Sequence, residues 1–104
     1  MPLANLNLDM PRLVALCRRY GVVKLEAFGS TARGDAGTDS DVDLLVTYDS
    51  SHRSGFEFVA LQQELEALVG RHVDLLTRAS VEKSPNKYFR RFALQHTEPV
   101  YVCA

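Results

Sequence analysis

The stretch from Phe28 to Tyr48 constrains this chain more than any other. It joins two alternating apolar runs through a polar loop that has glycine at its head and paired carboxylates at its tail. It reads Phe-Gly-Ser-Thr-Ala-Arg-Gly-Asp-Ala-Gly-Thr-Asp-Ser-Asp-Val-Asp-Leu-Leu-Val-Thr-Tyr. Upstream of the loop, residues 22–28 alternate, with Val23, Leu25 and Ala27 on one face and Lys24 and Glu26 on the other. That pattern predicts a half-exposed strand. Gly29 and Ser30 end it. Residues 30–33 fit one helical turn closed by Gly34, and residues 35–40 are a loop by composition. Residues 41–48 form the second predicted strand. Val42, Leu44 and Val46 face a core, while Asp41, Asp43, Leu45 and Thr47 take the other face. Carboxylates at i and i+2 on a strand point the same way.

The rest of the chain supplies helices for this pair of strands. Asp9 can cap a helix and Pro11 is tolerated in a first turn. Leu13, Leu16, Cys17 and Tyr20 then follow i, i+3, i+4, i+7 spacing, which predicts a helix from Met10 to Tyr20 stopped by Gly21. Residues 55–69 predict the longest helix, with Phe58, Leu61, Leu65, Leu68 and Val69 as its buried stripe and Gly70 at its end. Residues 71–77 predict a third strand. There Asp74 interrupts an apolar run, an unusual place for a carboxylate, and His72 reads as a satisfied strand histidine. Ser84 before Pro85 marks the start of a last helix, whose Tyr88, Phe89 and Phe92 form an apolar side directed to the core. Lys83, Lys87, Arg90 and Arg91 read as its solvated face. Pro99 breaks the pattern, and residues 100–102 form a short last strand or an extended tail with Tyr101 buried. Helices alternating with strands in this order predict a small α/β (α+β) domain built on one sheet.

Composition removes several classes of function. The 12 Lys and Arg residues nearly cancel the 13 Asp and Glu residues, so no global field argues for nucleic acid. Cys17 and Cys103 lie too far apart in sequence to suggest a metal cluster. The N-terminal residues lack the pattern of a signal peptide, and no apolar run approaches the roughly 20 residues that span a bilayer. A single domain over residues 1–104, reduced and cytoplasmic, is the expectation.

The carboxylates carry the chemistry. Asp41, Asp43 and Asp74 all occupy strand positions. Two carboxylates about 5 Å apart repel by roughly 3 kcal/mol at an effective dielectric of 20. Such a group must take up protons or bind cations. No His or Cys accompanies Asp41 and Asp43, so the donors are oxygen, which suits Mg²⁺ or Mn²⁺ sharing a shell with substrate phosphates. Gly29 lets backbone approach a phosphate without a Cβ in the way. Ser30 adds a hydroxyl and starts a turn whose N–H groups face an anion. The fork of Arg33 suits phosphate oxygens. Each piece alone has a plainer explanation as a turn, a strand cap or a surface charge. Their conjunction points to metal-assisted nucleotidyl or phosphoryl transfer.

Gly29-Ser30, ten residues, then Asp41-x-Asp43 resembles the signature of the DNA-polymerase-β-like nucleotidyltransferase superfamily. The fuller runs Gly-Ser-Thr-Ala-Arg-Gly-Asp-Ala and Ser-Asp-Val-Asp-Leu-Leu-Val resemble those of the minimal nucleotidyltransferases, or MNT proteins. These are small domains often paired with a HEPN-domain partner in toxin–antitoxin modules. His72-Val73-Asp74-Leu75-Leu76 matches the run that carries the family's third carboxylate. The resemblance extends along nearly the whole chain. It implies a mixed, mostly antiparallel sheet of about four strands flanked by helices, the polymerase-β-like core. It implies Asp41 and Asp43 as ligands to two Mg²⁺ ions, and Asp74 as a further ligand and the activator of the acceptor hydroxyl. Gly29 and Ser30 would hold the triphosphate, with Arg33 and Ser40 completing the nucleotide-binding set. The implied reaction moves AMP from ATP to a hydroxyl, a tyrosine of a HEPN toxin, so that the chain acts as antitoxin. Transfer to a small molecule of the aminoglycoside type, or neutralisation by binding alone, are the alternatives. No direct contact with nucleic acid or membrane is implied. Base preference and a homo- or hetero-oligomeric state stay open, since no residue reads a base edge recognisably.

Overall fold

A computed structural model of the chain describes residues 9–29, 41–49 and 55–103. Helix α1 (Met10–Arg19) starts where the side chain of Asp9 accepts a hydrogen bond from the Arg12 N–H at 3.3 Å. Strand β1 (Val22–Phe28) follows directly, because Gly21 adopts φ +69° and turns the chain. Strand β2 (Val42–Tyr48) runs antiparallel to β1, with Glu26 opposite Leu45 and Ala27 opposite Leu44. Helix α2 (Gly55–Val69) then carries the chain to strand β3 (Val73–Thr77), which pairs parallel to β2. A parallel pair needs such a crossover connection. Helices α3 (Arg78–Glu82) and α4 (Lys87–Gln95) lead to β4 (Thr97–Val102), antiparallel to β1. The sheet order is β3-β2-β1-β4. This is the mixed, mostly antiparallel four-stranded sheet with flanking helices that the sequence implies. Among the described residues no helix is long and apolar enough to cross a membrane.

The two faces of the sheet are closed differently. On the first, Leu13, Leu16 and Cys17 of α1 and Leu61 and Leu65 of α2 pack against Leu25, Val42, Leu44, Val46, Val73 and Leu75. Each such side chain contributes roughly 1.5–3 kcal/mol when fully buried. On the second, α3 and α4 bring Val81 and Ala93 onto Phe28 and Leu45, a much smaller cluster. The carboxylates stand on this second face, beside Leu45.

Several local expectations are corrected. Val22 rather than Val23 is in the core, because the β1–β2 register shifts between Val22 and Lys24. On the face of β1 read as half-exposed, Lys24 stays partly open but Glu26 is only 2% exposed. Pro99 does not end the pattern but lies inside β4. That strand is at the sheet edge, and its register against β1 shifts between Leu25 and Glu26, a setting where a missing N–H is tolerated. The last helix is capped by Asn86, not Ser84; the Asn86 side-chain oxygen accepts from the N–H groups of Tyr88 and Phe89 at 3.1 Å each. Tyr88, Phe89 and Phe92 are 75%, 38% and 52% exposed, so they are not core. Ala93 is the residue α4 buries, which rotates the aromatic stripe outward. Tyr101 is buried as expected. The short helical turn expected at residues 30–33 lies outside the described residues.

Candidate active site

The pairing of β2 with β3 determines where the carboxylates lie. Asp43 and Asp74 are direct register partners on adjacent parallel strands, whose backbones run about 4.8 Å apart. Asp41 immediately precedes β2. Asp43 is half-buried, while Asp41 and Asp74 are exposed. Burial pushes the Asp43 carboxyl above the usual carboxylate range, and the neighbouring charges of Asp74 and Asp41 push it further. The three expected residues therefore share one field, centred on Asp43. Their side chains do not form a closed cage: among the described residues no three Asp, Glu, His or Cys side chains converge as ready-made metal ligands.

The strand that presents Asp74 is held from outside the sheet. Val73 lies on an edge strand, and its outward backbone groups need partners. Glu66 on α2 accepts from the Val73 N–H at 3.0 Å, and Gln62 donates to the Val73 carbonyl at 3.0 Å. Glu66 also meets His72 Nδ1 at 2.7 Å, so His72 is engaged with the helix. Inside the sheet, the Val42 N–H donates to the His72 carbonyl at 2.9 Å and opens the β2–β3 ladder. The position of Asp74 beside Asp43 thus rests on α2 as much as on the strand pairing.

Gly29 links the glycine turn to the carboxylates. Its φ is +60°, a conformation that side chains other than glycine's rarely adopt. A Cβ placed there would come within 3.2 Å of Asp43 Oδ2 and 3.7 Å of Phe92 Cζ. The positive φ favours glycine at this position, and the tight approach to Asp43 adds to that preference. Ser30, Arg33 and Ser40, the other expected nucleotide-binding residues, lie outside the described residues. Next to Gly29 is a pocket of about 240 Å³ lined by Gly29, Phe92, Gln95 and His96.

Two features of this face escaped the sequence. One is the ion pair of Glu26, whose Oε1 accepts from Arg78 Nη1 at 2.7 Å; Lys24 Nζ lies 3.4 Å from its other oxygen. Arg78 also holds Glu82 at 3.2 Å, tying α3 to β1. Burial opposes ionisation of Glu26 most strongly. Hydrogen bonds from Arg78 and Thr97, with the charges of Arg78 and Lys24, outweigh it and hold the carboxyl below its usual range. Strand alternation put Glu26 on the carboxylate face but gave no sign of what covers it. The other is the pocket of Phe92, Gln95 and His96, whose i, i+3, i+4 spacing is visible but has no meaning until Gly29 is placed beside it.

The donor chemistry fits divalent cations. Three carboxylates share one field around half-buried Asp43, and added positive charge would relieve their repulsion. With divalent cations held there, such an arrangement would neutralise a polyphosphate and place a hydroxyl against it.

Comparison with known proteins shows the family to which the chain belongs. A family model described as the nucleotidyltransferase domain matches residues 13–100. The protein adenylyltransferase MntA of Thermococcus cleftensis is 40% identical over 87 residues, covering 84% of this chain and 81% of that protein. A solved structure provisionally described as a minimal nucleotidyltransferase superposes with a TM-score of 0.67 at 34% identity, covering 86% of this chain and 87% of that one. A complex of a tri-AMPylated HEPN toxin of Shewanella oneidensis with its MNT antitoxin gives a TM-score of 0.53 at 17% identity. The match covers 98% of this chain and 73% of that one, and at such identity the likeness is one of fold.

Proposed function

Because this chain belongs to the nucleotidyltransferase domain family, as an MNT-type enzyme, we propose that it transfers AMP from ATP to a tyrosine of a HEPN-domain toxin and so acts as its antitoxin. The observation that carries this reading is the contact at Asp43. Its half-buried carboxyl is the register partner of Asp74 across the β2–β3 pair and lies against Gly29, where φ is +60° and a Cβ would come within 3.2 Å of Asp43 Oδ2.

Asp41, Asp43 and Asp74 would hold two Mg²⁺ ions, which when bound neutralise phosphate charge and lower the pKa of the acceptor hydroxyl. Asp74 accepts the proton of that hydroxyl. The tyrosine oxygen then attacks the α-phosphorus, the bond to the β-phosphate bridging oxygen breaks, and pyrophosphate leaves with the electron pair. The Gly29 backbone lets the triphosphate lie close to Asp43. Ser30, Arg33 and Ser40 bind its oxygens. Glu66 and Gln62 keep Asp74 in register with Asp43 by bonding the backbone of Val73.

The test is transfer. The protein, MgCl₂ and ATP labelled at the α-phosphate are incubated with the HEPN toxin, and the labelled residue is mapped by mass spectrometry. Label on a toxin tyrosine, absent with Asp43→Asn, is expected. No transfer by the wild type, or equal transfer by the variant, would overturn the reading. Neutralisation of the toxin in cells by Asp43→Asn would show that binding alone suffices.

A further inference from the structure

The geometry points to the pocket between Gly29 and the end of α4 as the seat of the nucleobase, with Phe92 and Gln95 selecting adenine. This inference rests on the nucleotidyl-transfer reading and adds to it the residues that choose the base.

Position comes first. Gly29 lies against both Asp43 Oδ2 and the Phe92 ring, and it also lines the pocket. The pocket therefore opens beside the place where the phosphates would lie. Phe92 and Gln95 reach it from one face of α4, a turn apart, and His96 from the extended residue just past the helix end. Size comes next. At about 240 Å³ it is smaller than the roughly 300–1,000 Å³ that takes a whole drug-sized ligand. One ring system fits; a nucleoside triphosphate does not. Its lining is the third point. It holds an aromatic ring, an amide and an imidazole, with no carboxylate among the described lining residues. Phosphate would call for cations, and the described lining residues include neither Lys nor Arg; the imidazole of His96 is met by Glu98 at 3.4 Å.

Each lining group suits a base. Phe92 is 52% exposed, a large ring left open to solvent next to a polar site. Aromatic faces stack bases, and the contact is larger for a purine than for a pyrimidine. The Gln95 amide offers one donor and one acceptor side by side. That pair matches the N6 donor and N7 acceptor of adenine. Guanine presents two acceptors, O6 and N7, so one of its atoms would meet the amide oxygen unfavourably. The pocket thus favours adenine over guanine through Gln95, and purines over pyrimidines through Phe92.

The test measures binding of the whole protein, with Mg²⁺, to nonhydrolysable ATP, GTP and CTP analogues and to inorganic tripolyphosphate. Phe92 and Gln95 are exposed, so their substitution leaves the core untouched. Phe92→Ala should weaken the ATP analogue about tenfold and leave tripolyphosphate unchanged. Gln95→Ala should bring the ATP and GTP analogues to similar affinity. The inference is overturned if both variants bind all four probes as the wild type does, or if tripolyphosphate weakens in step with ATP. It is also overturned if Phe92→Ala alters only the KM for the acceptor, which would make the pocket the acceptor's. A wild type that binds tripolyphosphate yet shows no base preference overturns it while sparing the transfer reading. A wild type that binds no triphosphate at all breaks the transfer reading itself.

Discussion

The two faces of the sheet are filled differently: one is closed by apolar side chains, the other carries the candidate site. On the α1–α2 face, apolar side chains interlock, and none of the described buried residues there is charged. On the α3–α4 face the apolar cluster shrinks to Phe28, Leu45, Val81 and Ala93, and carboxylates, a buried ion pair and open aromatics occupy the rest. Charge that would be costly inside the first face is tolerated on the second because it is paired, as at Glu26, or only half-buried, as at Asp43. The strands alternate strictly enough that one segment serves both purposes: Val42, Leu44 and Val46 point to one face, Asp43 and Leu45 to the other.

If this division holds, substitutions on the two faces separate activity from stability. The largest effect is expected for Asp43→Asn. AMP transfer should fall at least about a thousandfold, the several kcal/mol that metal-assisted charge stabilisation supplies. The same variant should unfold in urea no earlier than the wild type, since it removes repulsion with Asp41 and Asp74. On the first face, Leu61→Ala should cost about 2–5 kcal/mol in urea unfolding through the cavity it leaves. Nucleotide binding by the folded fraction should persist. If Leu61→Ala abolished binding at full folding, or Asp43→Asn unfolded the chain, the division would fail.

How much of this was readable in the sequence follows the same divide. The bounds of β1 and α2 were read correctly, and α1 to within a residue, because apolar spacing in these segments reports burial on one continuous core. The sequence motif singled out Gly29, Asp43 and Asp74, and the structure brings these three together across adjacent strands. The second face was not. Helix α3 is too short to show a period. The aromatics of α4 have the stripe of a buried helix, but the small Ala93 packs better against Phe28 and Leu45, leaving Tyr88 and Phe92 outside. Alternation put Glu26 opposite the core, yet only the fold brings in Arg78, distant in sequence, to bury it.

Smaller effects sharpen the comparison. The Glu26 carboxyl is held below its ordinary value of 4.5 in the folded chain. Its stabilising contribution is therefore complete above that value and is lost as pH falls through the lower folded one. Glu26→Gln should unfold about 1–3 kcal/mol more easily at neutral pH, because Arg78 loses a charged acceptor. The difference from wild type should narrow in acid, as urea titrations at stepped pH will show. Cys17 provides the smallest test. Burial raises its thiol to about 11, while Cys103 is exposed. A thiol reagent at neutral pH should modify Cys103 quickly and Cys17 only on unfolding. Above pH 9 the folded chain loses stability as Cys17 would ionise more readily when unfolded.

The most direct measurement is a crystal structure of the protein with Mg²⁺ and a nonhydrolysable ATP analogue. The account predicts that Asp41, Asp43 and Asp74 close around the metal and that the triphosphate runs along the Gly29 backbone. Carboxylates that stay apart, with the triphosphate bound away from Gly29, would contradict it.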